Sequence, residues 1–353
     1  MKKQYLIFMA MLVLVIFAVG SVSAEDNVTT DIDVPTEDIA IDDVPVGDVD
    51  EGNDASSDAN KIVNTRYNSY ITTGSSSSVI DAAITTVNSN GGGNVYFTQG
   101  DYYNISINMK SNVNLIGNGA RLIGTGSSHV INLPNNLNNF TISGFIIDVN
   151  NATGKSSAIY GSFITNGVIA NNTMFNGANG VNINKYYDNM TVDNNIIYNM
   201  NNDGISFANP VSNSNIASLG KTNITNNNIS SCTYGIFIGG NFKGNIANNT
   251  IHCCTYGMEF AGKPKPGAGN GTLIATLFNN TISCCDYGIN MFHPGVQYLN
   301  MSYVNFVSTG YDDIITSSNF NKTGFIGVYH CVFTDYSSFE SEADDWIDNW
   351  PEP

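Results

Sequence analysis

The chain is short of positive charge, of proline and of tryptophan: 13 Lys and Arg stand against 30 Asp and Glu, with 9 Pro and 2 Trp. The deficit of Lys and Arg is unevenly spread. Residues 25–60 hold thirteen carboxylates and no Lys, Arg or aromatic residue, and six more carboxylates lie beyond Asp335. Eleven carboxylates remain between Lys61 and Asp335, matched by eleven Lys and Arg. The body is therefore near neutral, which argues against a basic nucleic-acid groove and weakens the case for a cleft that recruits acidic polymers by charge. Long apolar runs are scarce too. The only one, Leu6 to Val19, follows Lys2 and Lys3 and leads to Val22 and Ala24 before Glu25. That is the form of a secretory signal over residues 1–24. A retained anchor is the rival reading, but the run is shorter than the ~20 residues a spanning helix needs. No membrane span is expected in the mature chain, and export places it outside the cell or on its surface.

The acidic stretch 25–60 repels itself and offers little apolar surface to bury, so a disordered spacer is expected there. The folded domain is expected over 61–336, with a C-terminal cap and acidic tail at 337–353.

Within the body the sequence repeats. Residues 226–236 read NNNISSCTYGI, 248–258 NNTIHCCTYGM and 279–289 NNTISCCDYGI, with looser copies at 171–181 and 194–205. Marker glycines fall at Gly180, Gly204, Gly235, Gly257 and Gly288. A period of this size means stacked units. The copies hold little Ala or Leu and almost no Pro, which excludes paired helices. They hold short alternating β-branched stretches separated by Asn and Gly, residues suited to left-handed turns. Three short strands and three turns per period make one coil of a parallel β-helix, each strand pairing with its equivalent about 4.8 Å away. Asn172, Asn195, Asn227, Asn249 and Asn280 recur at one coil position and are expected to form a hydrogen-bonded amide ladder.

The stretch from Val79 to Asn151 contains VIDAAITTVNSNGGGNVYFTQGDYY, SNVNLIGNGARLIG and NFTISGFIIDVNN. It resembles the entry segment of the pectin-lyase-like right-handed parallel β-helix proteins. The Asn-rich style behind an acidic spacer is most similar to the adhesin-like β-helix surface proteins of methanogenic archaea. The resemblance implies an all-β solenoid with short capping helices. It implies little about activity, since one fold hosts lyases, hydrolases, epimerases, tailspikes and adhesins. Val79, Ile80, Ala83, Ile84 and Val87 fit one face of an N-terminal plug helix, with Ser76 to Ser78 as caps. Phe339, Trp346, Ile347 and Trp350 suggest a C-terminal cover.

In that family sugars lie along one strand face, here the glycine-led strand. Alternation sends Asn182, Ser206, Phe237, Glu259 and Asn290 outward, beside a column of Asn179, Asp203, Tyr234, Tyr256 and Tyr287. Residues 201–204, NNDG, resemble part of the polygalacturonase motif, with Asp203 in the matching place. The paired Asp expected on the next coil is replaced by Thr233-Tyr234, and the family's His and Arg-Lys elements are missing. Asp203 and Glu259, two rungs or about 10 Å apart, sit just past the range of inverting hydrolysis. Lyase or epimerase chemistry needs a base and a charge partner for a uronate. Arg66 and Arg121 both precede the repeated coils, and Lys185, Lys263 and Lys265 lie beyond the strand face.

The tyrosines allow two readings, sugar contact or ladder packing. Cys232, Cys254 and Cys285 share one column and Cys253 and Cys284 the next, while Cys331 stands apart. Disulfides and a thiol ladder both remain open. No metal site, cofactor or nucleic-acid partner is expected: a metal site of His252 with Cys253 or Cys254 has no CxxC spacing to support it, and His129, His293 and His330 show no ligand spacing. Sequons are frequent, from Asn104 to Asn321, so glycosylation is open. The expectation is a surface or secreted β-helix that binds polysaccharide or a cell-surface glycan without catalysis. A polysaccharide-active enzyme around Asp203 and Glu259 is the first alternative, and a structural envelope protein the second.

Overall fold

A computed structural model describes residues 67–151, 154–209, 219–262, 271–293, 295–316 and 325–334. The leader, the spacer and the C-terminal cover lie outside the described residues, as do 210–218 and 263–270.

The chain folds as an all-β, right-handed parallel β-helix, as expected. Its strands form three faces that recur once per coil, each strand pairing in parallel with its counterpart in the next. One face runs from Tyr67–Ile71 and Gly93–Phe97 through Thr222–Thr225 and Phe242–Ala247 to Phe325–Tyr329. A second includes Thr173–Gly177, Thr250–His252, Thr281–Ser283 and Asn305–Val307. The third is the glycine-led face, built from the start of Asn179–Asp193 and the ends of Ile196–Asn209 and Asn228–Gly240, then Tyr256–Ala261, Tyr287–Phe292 and Asp312–Thr316.

Alternation sorts each strand into an inner and an outer row. On the third face Val181, Ile205, Ile236, Met258 and Ile289 pair rung on rung, all fully buried. On the second, Ile197, Ile229, Ile251 and Ile282 do the same. Each such side chain contributes roughly 1.5–3 kcal/mol by burial, which is the main stabilising term.

The Asn doublets divide the labour of one corner. The first residue of each pair, Asn171, Asn194, Asn226, Asn248 and Asn279, sits in the left-handed region with φ of 50–57°. Asn adopts that conformation at less cost than most residues. The second residue turns inward and builds the ladder. Asn172, Asn195, Asn227 and Asn249 each donate from Nδ2 to the Oδ1 of the next ladder Asn, at 3.1, 3.0, 2.9 and 3.0 Å. That same Oδ1 also accepts the backbone N–H of the preceding Asn. The ladder starts at Phe145, whose N–H donates to Asn172. At the equivalent corner one coil after Asn280 the doublet reads Tyr303-Val304, and Asn305 donates its N–H to the Asn280 carbonyl.

The CC doublets follow the same grammar. Cys253 and Cys284 are exposed, at φ of 54° and 52°, whereas Cys254 and Cys285 turn inward and are buried. The marker glycines have a different cause, close approach of backbone. A Cβ on Gly180, Gly204, Gly235 or Gly257 would lie 2.5–2.6 Å from the carbonyl oxygen of the next marker glycine.

The entry end is plugged by the helix Ser77–Ser89, whose Ile80, Ile84 and Val87 are fully buried. Two expectations fail here. Val79 is 51% exposed and belongs to the outer side of the helix. Ser76 stands at the N-cap without making a side-chain cap bond; its hydroxyl pairs with that of Ser78 instead.

Candidate functional site

The third face brings the proposed site residues onto adjoining columns. Its outer row pairs Asn182 with Ser206, Ser206 with Phe237, Phe237 with Glu259 and Glu259 with Asn290. Three residues earlier on each strand runs the second column, in which Asp203 pairs with Tyr234, Tyr234 with Tyr256 and Tyr256 with Tyr287. Asp312 follows Tyr287 in register, so the Asp312-Asp313 pair lies four rungs from Asp203.

The outer row is less open than alternation alone implies. Ser206 and Asn290 are buried, at 3% and 2% exposure, although both project to the outer side. Asp203 is buried as well. Its backbone N–H donates to Asn179 Oδ1 at 3.2 Å, and Ser206 hydrogen-bonds its carboxylate. Burial raises the Asp203 carboxyl to about 7; the Ser206 bond opposes the shift and the Glu259 charge adds to it. Glu259 is raised in the same way, chiefly by burial, against a hydrogen bond from Asn290 Nδ2 at 2.9 Å. The other end of that amide, Asn290 Oδ1, is buried without a hydrogen-bond partner among the described residues. Tyr234 stands between the two acids and feels both charges, after the larger effect of its own burial.

The tyrosine column is a stack. Tyr234, Tyr256, Tyr287 and Tyr311 follow one another with ring centroids 5.1 Å apart and planes within 27°. Stacked rings cover one another's faces, so the inner rings turn edges and phenol hydroxyls outward. The stack is the ladder packing that one of the two readings of these residues expects. Phe237 packs edge-on against Tyr234, with centroids 5.8 Å apart.

All six cysteines are free thiols. Cys232, Cys254 and Cys285 form a buried column linked by thiol hydrogen bonds. The Cys254 thiol is pushed up to about 12, chiefly by its bond to Cys232. Such thiols are inert packing groups.

Sequence reasoning missed the entry end of this face. The outer row continues upstream from Asn182 through Tyr160 and Asn132 to Asn108. Here a pocket of about 450 Å³ opens, lined by Asn108, His129, Asn132, Lys155 and four serines among others. His129 stacks flat on Tyr160 with centroids 4.1 Å apart. Its Nδ1 accepts the Ser157 N–H at 3.0 Å, so in the neutral ring the proton sits on Nε2. Burial lowers its pKa and favours that neutral form. The coil carries Ser157-Ala158 where later coils carry a marker residue and glycine, which hid its register.

No group of three metal-ligating side chains occurs among the described residues. No described helix is long and apolar enough to cross a membrane.

No protein-family model matches the chain, and no curated protein matches it. Solved structures do. The A-module of the Azotobacter vinelandii mannuronan C-5 epimerase AlgE4 is similar at 14% identity, over 73% of this chain and 91% of that one, with a TM-score of 0.42. A tailspike protein of E. coli bacteriophage HK620 is similar at 13% identity, over 72% of this chain and 61% of that one, with a TM-score of 0.48. These likenesses concern the fold alone.

Proposed function

We propose that the chain is a surface or secreted β-helix, adhesin-like, that binds polysaccharide along its glycine-led face without turning it over. The observation that carries this reading is the continuous surface formed by the Tyr234–Tyr256–Tyr287–Tyr311 stack beside Phe237 and Glu259. A row of stacked phenol rings with centroids 5.1 Å apart brings one hydroxyl, a donor and an acceptor, to each rung. A polymer of hydroxylated rings laid along the axis can meet such a row repeatedly, and weak contacts add when they share one chain. Among the described residues, no Lys, Arg or His charge offsets the burial of either acid. This surface therefore suits a neutral glycan better than a polyanion.

A second reading, a polysaccharide-active enzyme, draws on the same two acids. A carboxyl held near neutrality is suited to proton donation, and a second one nearby could serve as base. Against it stands their placement on alternate rungs, about 10 Å apart along the axis, on the far side of the spacing hydrolysis favours.

The test incubates the full secreted chain with a panel of neutral and acidic polysaccharides and records retention and new chain ends together. Retention on a neutral polymer, reduced at least tenfold by Tyr256→Ala and unaccompanied by new ends, is expected. New ends abolished by Asp203→Asn would replace binding with catalysis. Absence of both retention and cleavage would remove the carbohydrate reading.

A further inference from the structure

The two outer thiols of the CC doublets occupy equivalent positions on neighbouring coils. His252 pairs with Ser283, so the residues that follow them, Cys253 and Cys284, stand opposite each other across one rung. The Cys253 N–H donates to the Ser283 carbonyl at 3.0 Å, which holds the two corners in register. Both residues are exposed, and both adopt the left-handed conformation that turns the side chain out of the strand row. Adjacent rungs place equivalent Cα atoms about 4.8 Å apart, inside the Cα separation of roughly 4.4–6.8 Å that a disulfide spans. The two thiols also hydrogen-bond each other.

The three inner thiols differ in every relevant respect. Cys232, Cys254 and Cys285 are buried in the core cluster, where an oxidant cannot reach the sulfur. Cys331 sits elsewhere, its thiol directed at the Met301 and Tyr329 carbonyls. Of the six cysteines, one pair is both accessible and mutually placed.

We infer that Cys253 and Cys284 form an oxidation site, closing to a cross-rung disulfide when the chain meets a disulfide-bearing oxidant. The chemistry is thiol–disulfide exchange. The thiolate of one cysteine attacks the oxidant's sulfur, releasing one equivalent of reduced thiol and leaving a mixed disulfide. The second cysteine then attacks the protein sulfur of that bond and releases the second equivalent. One S–S bond forms in the protein and one is lost from the oxidant. Two protons leave the cysteines and two are taken up by the released thiolates, so the exchange balances. The bond would add a covalent tie between coils at a corner now held by backbone and thiol hydrogen bonds, shrinking the unfolded ensemble. Burial and the neighbouring sulfur hold the Cys253 thiol above its usual range, so closure should speed up as the solution becomes more alkaline.

The experiment uses the full chain, reduced, then exposed to oxidised glutathione over a range of ratios to reduced glutathione. Remaining thiols are alkylated before unfolding, and peptides are mapped by mass spectrometry without reduction. The expected product is a Cys253–Cys284 cross-linked peptide pair, with a melting temperature several degrees above that of the reduced protein. Cys253→Ser and Cys284→Ser should each abolish both the cross-link and the gain in melting temperature. Cys331→Ser should leave both unchanged, and it serves as the control because it lies outside the stacked columns. A cross-link joining any other pair, a stable glutathione adduct at Cys253 or Cys284 without closure, or full alkylation of both after oxidation would overturn the inference.

Discussion

Asp203 illustrates how far one residue's environment departs from what its neighbours in sequence suggest. NNDG reads as a turn, and an Asp there is normally solvated. In the structure the side chain is buried beside Ser206, with its carboxyl raised to about 7 by loss of water. A carboxyl raised in the folded state makes a contribution to stability that is complete below the unfolded value. That contribution is lost as pH climbs through the folded one. The window therefore opens near the ordinary value of 3.8 and closes at about 7. Glu259 is raised too and acts with the same sign. The wild-type chain should lose melting temperature between pH 4 and pH 7.5. Asp203→Asn, which carries no charge at any pH, should lose distinctly less. Calorimetry of both proteins across that range is the check, and parallel curves would mean the Asp203 carboxyl is not desolvated. The motif made Asp203 legible as a candidate. Its burial was not legible, because that depends on what covers a nominally outward row.

At the scale of the element, the asparagine ladder was readable and the tyrosine surface only half so. A residue type that recurs at one coil position must stack on itself, and a side chain with both donor and acceptor can link to each neighbour. That argument needs only the period, and the hydrogen bonds at 2.9–3.1 Å follow it. The same argument placed the tyrosines in one column. It left open whether the rings lie face to face or splay, since both geometries share the register. Tyr311 was missed because Asp312 holds the register position after Tyr287 and Asp313 stands where the marker glycine would be. The ladder carries a definite energetic claim. Asn227 accepts from the side chain and the backbone of Asn195, and donates to Asn249 and to the Val192 carbonyl, all in the buried interior. Replacing it with Ala leaves these groups short of partners where water does not substitute, at roughly 1–3 kcal/mol for a buried group left unsatisfied. Asn226→Gly, at the exposed and left-handed first position of the same doublet, should cost far less, since glycine adopts that conformation freely. Denaturant melts of the two variants separate these cases, and equal losses would show that the doublet marks a turn and nothing more.

Over the described residues the chain is a stack in which each coil is covered by the next, so burial fails where a stack stops. Within the stack, a rung's strand edges and inner row meet an equivalent rung. At the entry, the helix Ser77–Ser89 takes the place of a missing coil, laying Ile80, Ile84 and Val87 over the core with no exposure of any of them. The apolar spacing of this helix was legible except at Val79, and its N-cap chemistry was not, because a serine at the right position need not bond the backbone. An uncovered β-helix end presents unpaired strand edges and apolar surface, the combination that recruits another chain. Ile84→Asp should unseat the helix, since a carboxylate cannot stay at a fully buried position without a partner. The coils beyond the first few keep their own rung-to-rung contacts, as a solenoid's stability is summed from neighbour to neighbour. The variant should thus retain most of its strand signal in circular dichroism while eluting earlier than the wild type, as end-to-end oligomers, in size-exclusion chromatography. Val79→Asp, on the exposed side of the same helix, should remain like the wild type in both measurements. If Ile84→Asp kept the wild-type elution and melting temperature, the helix would be an ornament on a stack that closes itself.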